Sequence, residues 1–269
     1  MDFEFGETVQ SNAFLDRNPK FLPAFERLAA LTNKCLVRNS QTQNRTEDIC
    51  FDLGHTCRQD FLEILFLAAN GYGIAASKIL RGLYERAVTL AYIVNHPEKA
   101  ERFFRFAAIQ EHKAVNAARA VVSQEEFDKV ITPEMAEQIR KSYEEIKPEF
   151  QVTRCHECGD KGTAFSWDID FASMVRDVGE RFQKFYLGAY VIPNLHVHAT
   201  FASSQPKRPT EKEIAEINRR DGEFALLNAT SIVLLALRAE DTLFALNLND
   251  DIEACEHDVS DVWWKPPDV

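Results

Sequence analysis

Two short stretches carry the side chains best suited to chemistry. In "KILRGLYERAVTL" a guanidinium, Arg81, and a carboxylate, Glu85, stand four residues apart, a spacing that puts both on one side of a helix. Such a carboxylate can hold the guanidinium and aim it at a phosphate or at another acid. In "YVIPNLHVHATF", residues 190–201, the polar groups Tyr190, Asn194, His196 and His198 interrupt a run that otherwise reads as core. Read as helix, Tyr190, Asn194 and His198 share a face at i, i+4 and i+8, with His196 pointing elsewhere and Pro193 limiting the regularity of the turn before it. A neutral imidazole beside a phenol and a guanidinium can move protons near neutral pH, where His titrates. Arg81, Glu85, Tyr190 and His198 are therefore the candidate catalytic residues, and Asn194 and His196 candidate binding residues. The same groups, if enclosed, would also satisfy one another as a structural network that fixes helix packing.

A second helical stretch, "AERFFRFAAIQEHKAVNAARAVV", places Arg102, Arg105, Ile109, His112, Asn116 and Arg119 on one stripe. In an acidic chain this is a candidate electrostatic footprint for an anionic ligand, so Arg102, Arg105 and His112 join the binding set; the competing reading is a solvated helix face, diluted by Glu111. Cys155-His-Glu-Cys158 supplies half of a zinc site. A structural zinc needs four ligands, and without a second CxxC or an HxxxH the pair would have to recruit His156 and a distant Cys255 or His257, so no metal is expected. The chain has no Walker lysine loop, GxGxxG, GxSxG or HExxH, which argues against ATPase, dehydrogenase, esterase and zincin chemistry, and no cofactor is expected.

Helices must position these groups. Gly and Pro number 10 each and fall mostly between segments of helical periodicity, which predicts an all-α multi-helix bundle of about seven helices, one large domain, over residues 20–37, 48–69, 73–95, 98–122, 133–147, 169–189 and 211–246. Thr132-Pro-Glu and the Thr210…Glu213 capping box mark two helix starts. The organisation expected is an N-terminal helical segment (1–47), a helical core domain (48–246) with a Cys-containing loop at 148–167, and an acidic tail (247–269) that docks back through Trp263 and Trp264. No strand alternation is evident. The 31 Lys and Arg against 42 Asp and Glu give a net charge of −11, which opposes broad coating of nucleic acid and leaves only local contacts. The longest apolar runs are too short or interrupted to span a bilayer, and the acidic N-terminus is unlike a secretory signal, so a cytoplasmic, membrane-free protein with reduced thiols is expected.

Arg81-Gly-Leu-Tyr-Glu85, followed by Trp167 and then by Tyr190, Asn194 and His198-Ala-Thr200, resembles the bacterial domain-of-unknown-function 5677 family over roughly residues 50–245. Its members tend to show R-x-x-x-E and then Y-x-x-x-S-x-x-x-H with a small residue and Ser; here Asn194 stands for the first Ser and Thr200 for the last. The helical organisation is also similar, more remotely, to HEPN domains of toxins and antiphage defence systems, although their Arg-to-His signature on one helix is not intact here. The resemblance implies a metal-independent ribonuclease or nucleotide-binding domain in a defence or toxin setting, with RNA or a nucleotide as ligand and a protein partner or a homo-oligomer as its context. The alternative is a non-catalytic helical binding or assembly module.

Overall fold

The computed structural model describes residues 8–38, 42–153, 158–159, 161–197 and 210–263. The expected all-α class is observed, with twelve α-helices and one two-stranded hairpin among the described residues. The chain divides into two compact units, Met1–His96 with Phe171–Val269, and Pro97–Asp170.

The first unit is built on three long helices, α3 (Arg45–Ala69), α4 (Gly73–Asn95) and α11 (Glu211–Phe244), which pack pairwise. Two of them start at capping residues: Asn44 accepts from the Glu47 amide to start α3, three residues ahead of the expected 48, and Thr210 and Glu213 close a capping box at α11. Their apolar faces interlock, with Ile64 of α3, Leu80, Leu83 and Ala87 of α4, and Leu226, Ile232 and Leu237 of α11 at 0% exposure. Truncating any one of the leucines or isoleucines among them to Ala costs about 2–5 kcal/mol. Where α4 starts, it meets α11 backbone to backbone. A Cβ added at Gly73 would sit 2.0 Å from the Asn218 carbonyl oxygen and 2.4 Å from the Gly222 nitrogen, so glycine is what permits the crossing. By length and composition α11 could cross a membrane, but 72% of its most apolar window is buried against neighbouring helices.

Around this core lie α1 (Thr8–Arg17), α2 (Phe21–Leu36), and the segments α8 (Phe171–Asp177), α9 (Glu180–Gln183), a π-helical turn (Tyr186–Val191) and α10 (Ile192–Val197). The single helix expected over 169–189 is therefore broken. Gly179 at φ +96° ends α8, a conformation open to glycine, and the chain then widens into the π turn, where the Ile192 amide reaches back five residues to Leu187. The next residue, Pro193, has no N–H to donate. The acidic tail folds as α12 (Asn249–Trp263) and packs on α2 and α11, with Trp263 edge-on to Phe21 at 6.4 Å. Trp264 lies outside the described residues.

In the second unit α5 (Ala100–Arg119) packs on α7 (Pro133–Ile146), with the short α6 (Gln124–Val130) between them opened by a Ser123–Glu126 capping box. The segment expected to be loop contains an antiparallel hairpin, β1 (Gln151–Thr153) with β2 (Lys161–Thr163), in the register Gln151 to Thr163 and Thr153 to Lys161. Three residues per strand are too few for alternation to show in sequence. Phe106 and Phe150 (5.2 Å) and Phe103 and Trp167 (5.1 Å) fasten this segment to α5.

Candidate functional site

The i, i+4 spacing on α4 does what helical geometry requires: Arg81 Nη2 donates to Glu85 Oε1 at 3.0 Å. The remaining contact is tertiary. The Arg81 guanidinium lies over the Tyr190 ring at 5.0 Å, and that ring is in turn packed by Phe171 (4.6 Å) and stacked on Tyr186 (5.3 Å). Phe171 also meets Tyr84 edge-on at 5.8 Å, and Tyr84, fully buried, donates its hydroxyl to the Phe182 carbonyl at 2.8 Å. Cation, carboxylate and phenol ring are thus held together by an aromatic wall from α4, α8 and the π turn.

The cluster is only partly closed, with the Arg81 side chain 25% and the Glu85 side chain 36% exposed. Burial pushes the Glu85 carboxyl up from its ordinary range, against the opposing pull of Arg81 and of Arg86. One residue on, Arg86 pairs with Asp60 of α3, whose carboxyl burial raises to about 6 despite that partner. Two polar atoms stand out. Arg81 Nε and Asn194 Oδ1 are both buried and have no hydrogen-bond partner among the described residues. They belong to α4 and α10, which pack on each other. An orphaned buried donor or acceptor costs about 1–3 kcal/mol, so such atoms mark a ligand or a functional strain.

The structure therefore brings Arg81, Glu85 and Tyr190 together and sets Asn194 on an adjoining helix. His196 is half-buried on α10, and His198 lies outside the described residues. Because a π turn precedes α10, Tyr190 and Asn194 do not share the regular α-helical face that their spacing suggests. Sequence reasoning passed over Phe171, Tyr186 and Tyr84. The i, i+4 pair Tyr186 and Tyr190 was the available signal.

Arg102, Arg105 and His112 sit on α5, in the second unit. Arg102 Nε donates to the Trp167 carbonyl at 2.6 Å and Nη1 to the Glu149 carbonyl at 3.2 Å, with the guanidinium over Phe150 at 4.3 Å. Arg105 pairs with Glu149 at 2.7 Å. Both arginines are thus engaged in tying the hairpin segment to α5. His112 stacks on Tyr143 at 3.7 Å and is kept towards its neutral form, first by burial. It lines a cavity of about 340 Å³ with Asn116, Arg119 and Arg140. Among the described residues no three His, Cys, Asp or Glu side chains gather as a metal would require; Cys158 is exposed and Cys155 lies outside them.

The chain matches no curated protein and no solved structure. A model of a family of unknown function, DUF5677, matches residues 48–208. That span contains Arg81, Glu85 and Tyr190 and covers more than half of the 269 residues. The chain therefore belongs to the DUF5677 family.

Proposed function

We propose that the Arg81–Glu85–Tyr190 cluster recognises the phosphate of a nucleotide or RNA. One observation carries the reading: the Arg81 guanidinium is fixed from two sides, by Glu85 and by the Tyr190 ring, yet its buried Nε has no partner among the described residues. A phosphate oxygen is the acceptor that a pre-positioned guanidinium edge fits best. Glu85 stands next to that position, and its raised pKa lets it take up a proton and donate to the anion instead of repelling it. Tyr190 holds Arg81 in place, and Asn194 Oδ1 supplies an acceptor for a sugar hydroxyl or a base amine.

In this proposal the site cleaves phosphodiesters without metal, with His198 as general acid or base, in a bacterial defence or toxin setting. The test has two parts. Calorimetric titration of a 5′-phosphorylated RNA oligonucleotide should show binding that Arg81→Ala weakens at least about tenfold, or about 1.4 kcal/mol. RNA cleavage in the presence of EDTA should be lost in His198→Ala, which keeps the binding. Equal binding by wild type and Arg81→Ala removes the phosphate reading.

A second reading is a structural network in a non-catalytic assembly module, favoured by the hydroxyl of Tyr84 bonding the Phe182 carbonyl beneath the same aromatic wall. It predicts that Arg81→Ala lowers the melting temperature and changes no ligand affinity.

A further inference from the structure

On the first unit, sharing no residue with the Arg81 cluster, a cavity of about 510 Å³ opens between α9, α11 and α12. A second, of about 370 Å³, shares Arg181 and Leu235 with it, so the two are neighbouring parts of one groove along α11. The α11 residues involved, Leu227, Ser231, Leu234, Leu235, Arg238 and Thr242, follow helical spacing and form a single stripe. Volumes of this size are those of small-molecule sites, about 300–1,000 Å³.

The walls of the larger cavity differ in character. Its floor is apolar, with Phe185, Val259 and Trp263 added to the leucines of α11. Glu256 lines it too, and is neutralised through two bonds of 3.0 and 2.8 Å by Arg238, which lines the smaller cavity. Arg181 and Lys184, which also line it, are both exposed, and neither side chain has an ion pair or hydrogen bond among the described residues. Unmatched cations are conspicuous in a chain of net charge −11. The acid Glu180 lines only the smaller cavity. An apolar floor with a doubly cationic rim is complementary to a ligand that has an apolar body and one anionic head.

We propose that this groove binds a small amphipathic anion, an acyl or aromatic carboxylate. Its body lies against Leu227, Leu234 and Trp263, and its head meets Arg181 and Lys184.

Calorimetric titration of the full chain with decanoate tests this, alongside decanol and decyltrimethylammonium as neutral and cationic counterparts of similar shape. Decanoate is expected to bind saturably. Decanol, decyltrimethylammonium and the double variant Arg181→Glu with Lys184→Glu should each lower the affinity at least tenfold. Ser231→Trp, which fills the cavity, should abolish binding with the melting temperature retained. If that variant does not fold, the exposed double variant decides alone. Absence of saturable decanoate binding, equal affinity for decanol or the cation, or wild-type affinity in the double variant each overturns the proposal.

Discussion

Glu240 offers the sharpest thermodynamic test of this fold. It lies inside α11 at 0% exposure, with Oε2 held by Arg38 Nη2 at 3.1 Å and Oε1 buried without a partner among the described residues. Arg38 is itself sandwiched between the rings of Phe51 (5.0 Å) and Phe244 (4.2 Å). Across from Oε1 stands Gly54 of α3, where an added Cβ would come within 2.6 Å. Burial pushes the Glu240 carboxyl from its ordinary 4.5 up to about 7, against the pull of Arg38. The folded state thus binds this proton more tightly than the unfolded chain does. The contribution of Glu240 to stability is full below pH 4.5, and it is lost as pH rises through about 7. At about 1.4 kcal/mol per pKa unit, integration between pH 5 and pH 8 gives a loss of about 2–3 kcal/mol. Glu240→Gln keeps the shape of the protonated acid and cannot ionise. Urea denaturation of both proteins at pH 5, 6, 7 and 8 should show the variant gaining about 2–3 kcal/mol on wild type across that range, most of it below pH 7. A difference that stays constant with pH would refute the assignment of Glu240 as a buried acid that takes up a proton on folding.

Other expectations follow from named contacts. Gly73→Ala forces a Cβ to within 2.0 Å of the Asn218 carbonyl, and should cost about 3 kcal/mol or more, read as a fall in melting temperature. Arg102→Ala removes donors from the Trp167 and Glu149 carbonyls. It should cost about 1–3 kcal/mol and raise hydrogen exchange in the 147–167 segment, while leaving RNA affinity unchanged. Because burial raises the Glu85 carboxyl, phosphate binding by wild type should strengthen as pH falls. Glu85→Gln should flatten that dependence, as titrations of the oligonucleotide at pH 5.5 and 7.5 would show. Trp263→Ala should remove the edge contact with Phe21, and limited proteolysis should then cut within α12 first.

The parts of this architecture that rest on local rules were legible in the sequence. The periodicity of α4 and α11, the cap at Thr210 and the proline after Thr132 each act within a few residues, and the helices start where those residues stand. The Arg81–Glu85 pair was legible for the same reason, since a helix alone sets their separation. The rest depends on distant partners. On its own helix Arg102 looks like part of a basic stripe, but its acceptors are carbonyls 47 and 65 residues away. The contact of Tyr190 with Arg81 spans more than a hundred residues, and nothing in either stretch encodes it. The break in the 169–189 segment was visible in principle, because Gly179 sits between two apolar periods. The hairpin and α12 were obscured by brevity and by acidic charge.

The π turn has a consequence for insertions and deletions. It holds one residue more than an α-helix of the same rise needs, and each residue of an α-helix advances the azimuth by about 100°. Excising exposed Leu187 would let the segment rewind as a plain α-helix. The rise and net rotation of the segment would be nearly unchanged, because the wide turn absorbs its extra residue locally, so Asn194 downstream would keep its azimuth towards α4. Natural chains of this family could therefore gain or lose one residue here and still turn the same face of α10 towards α4.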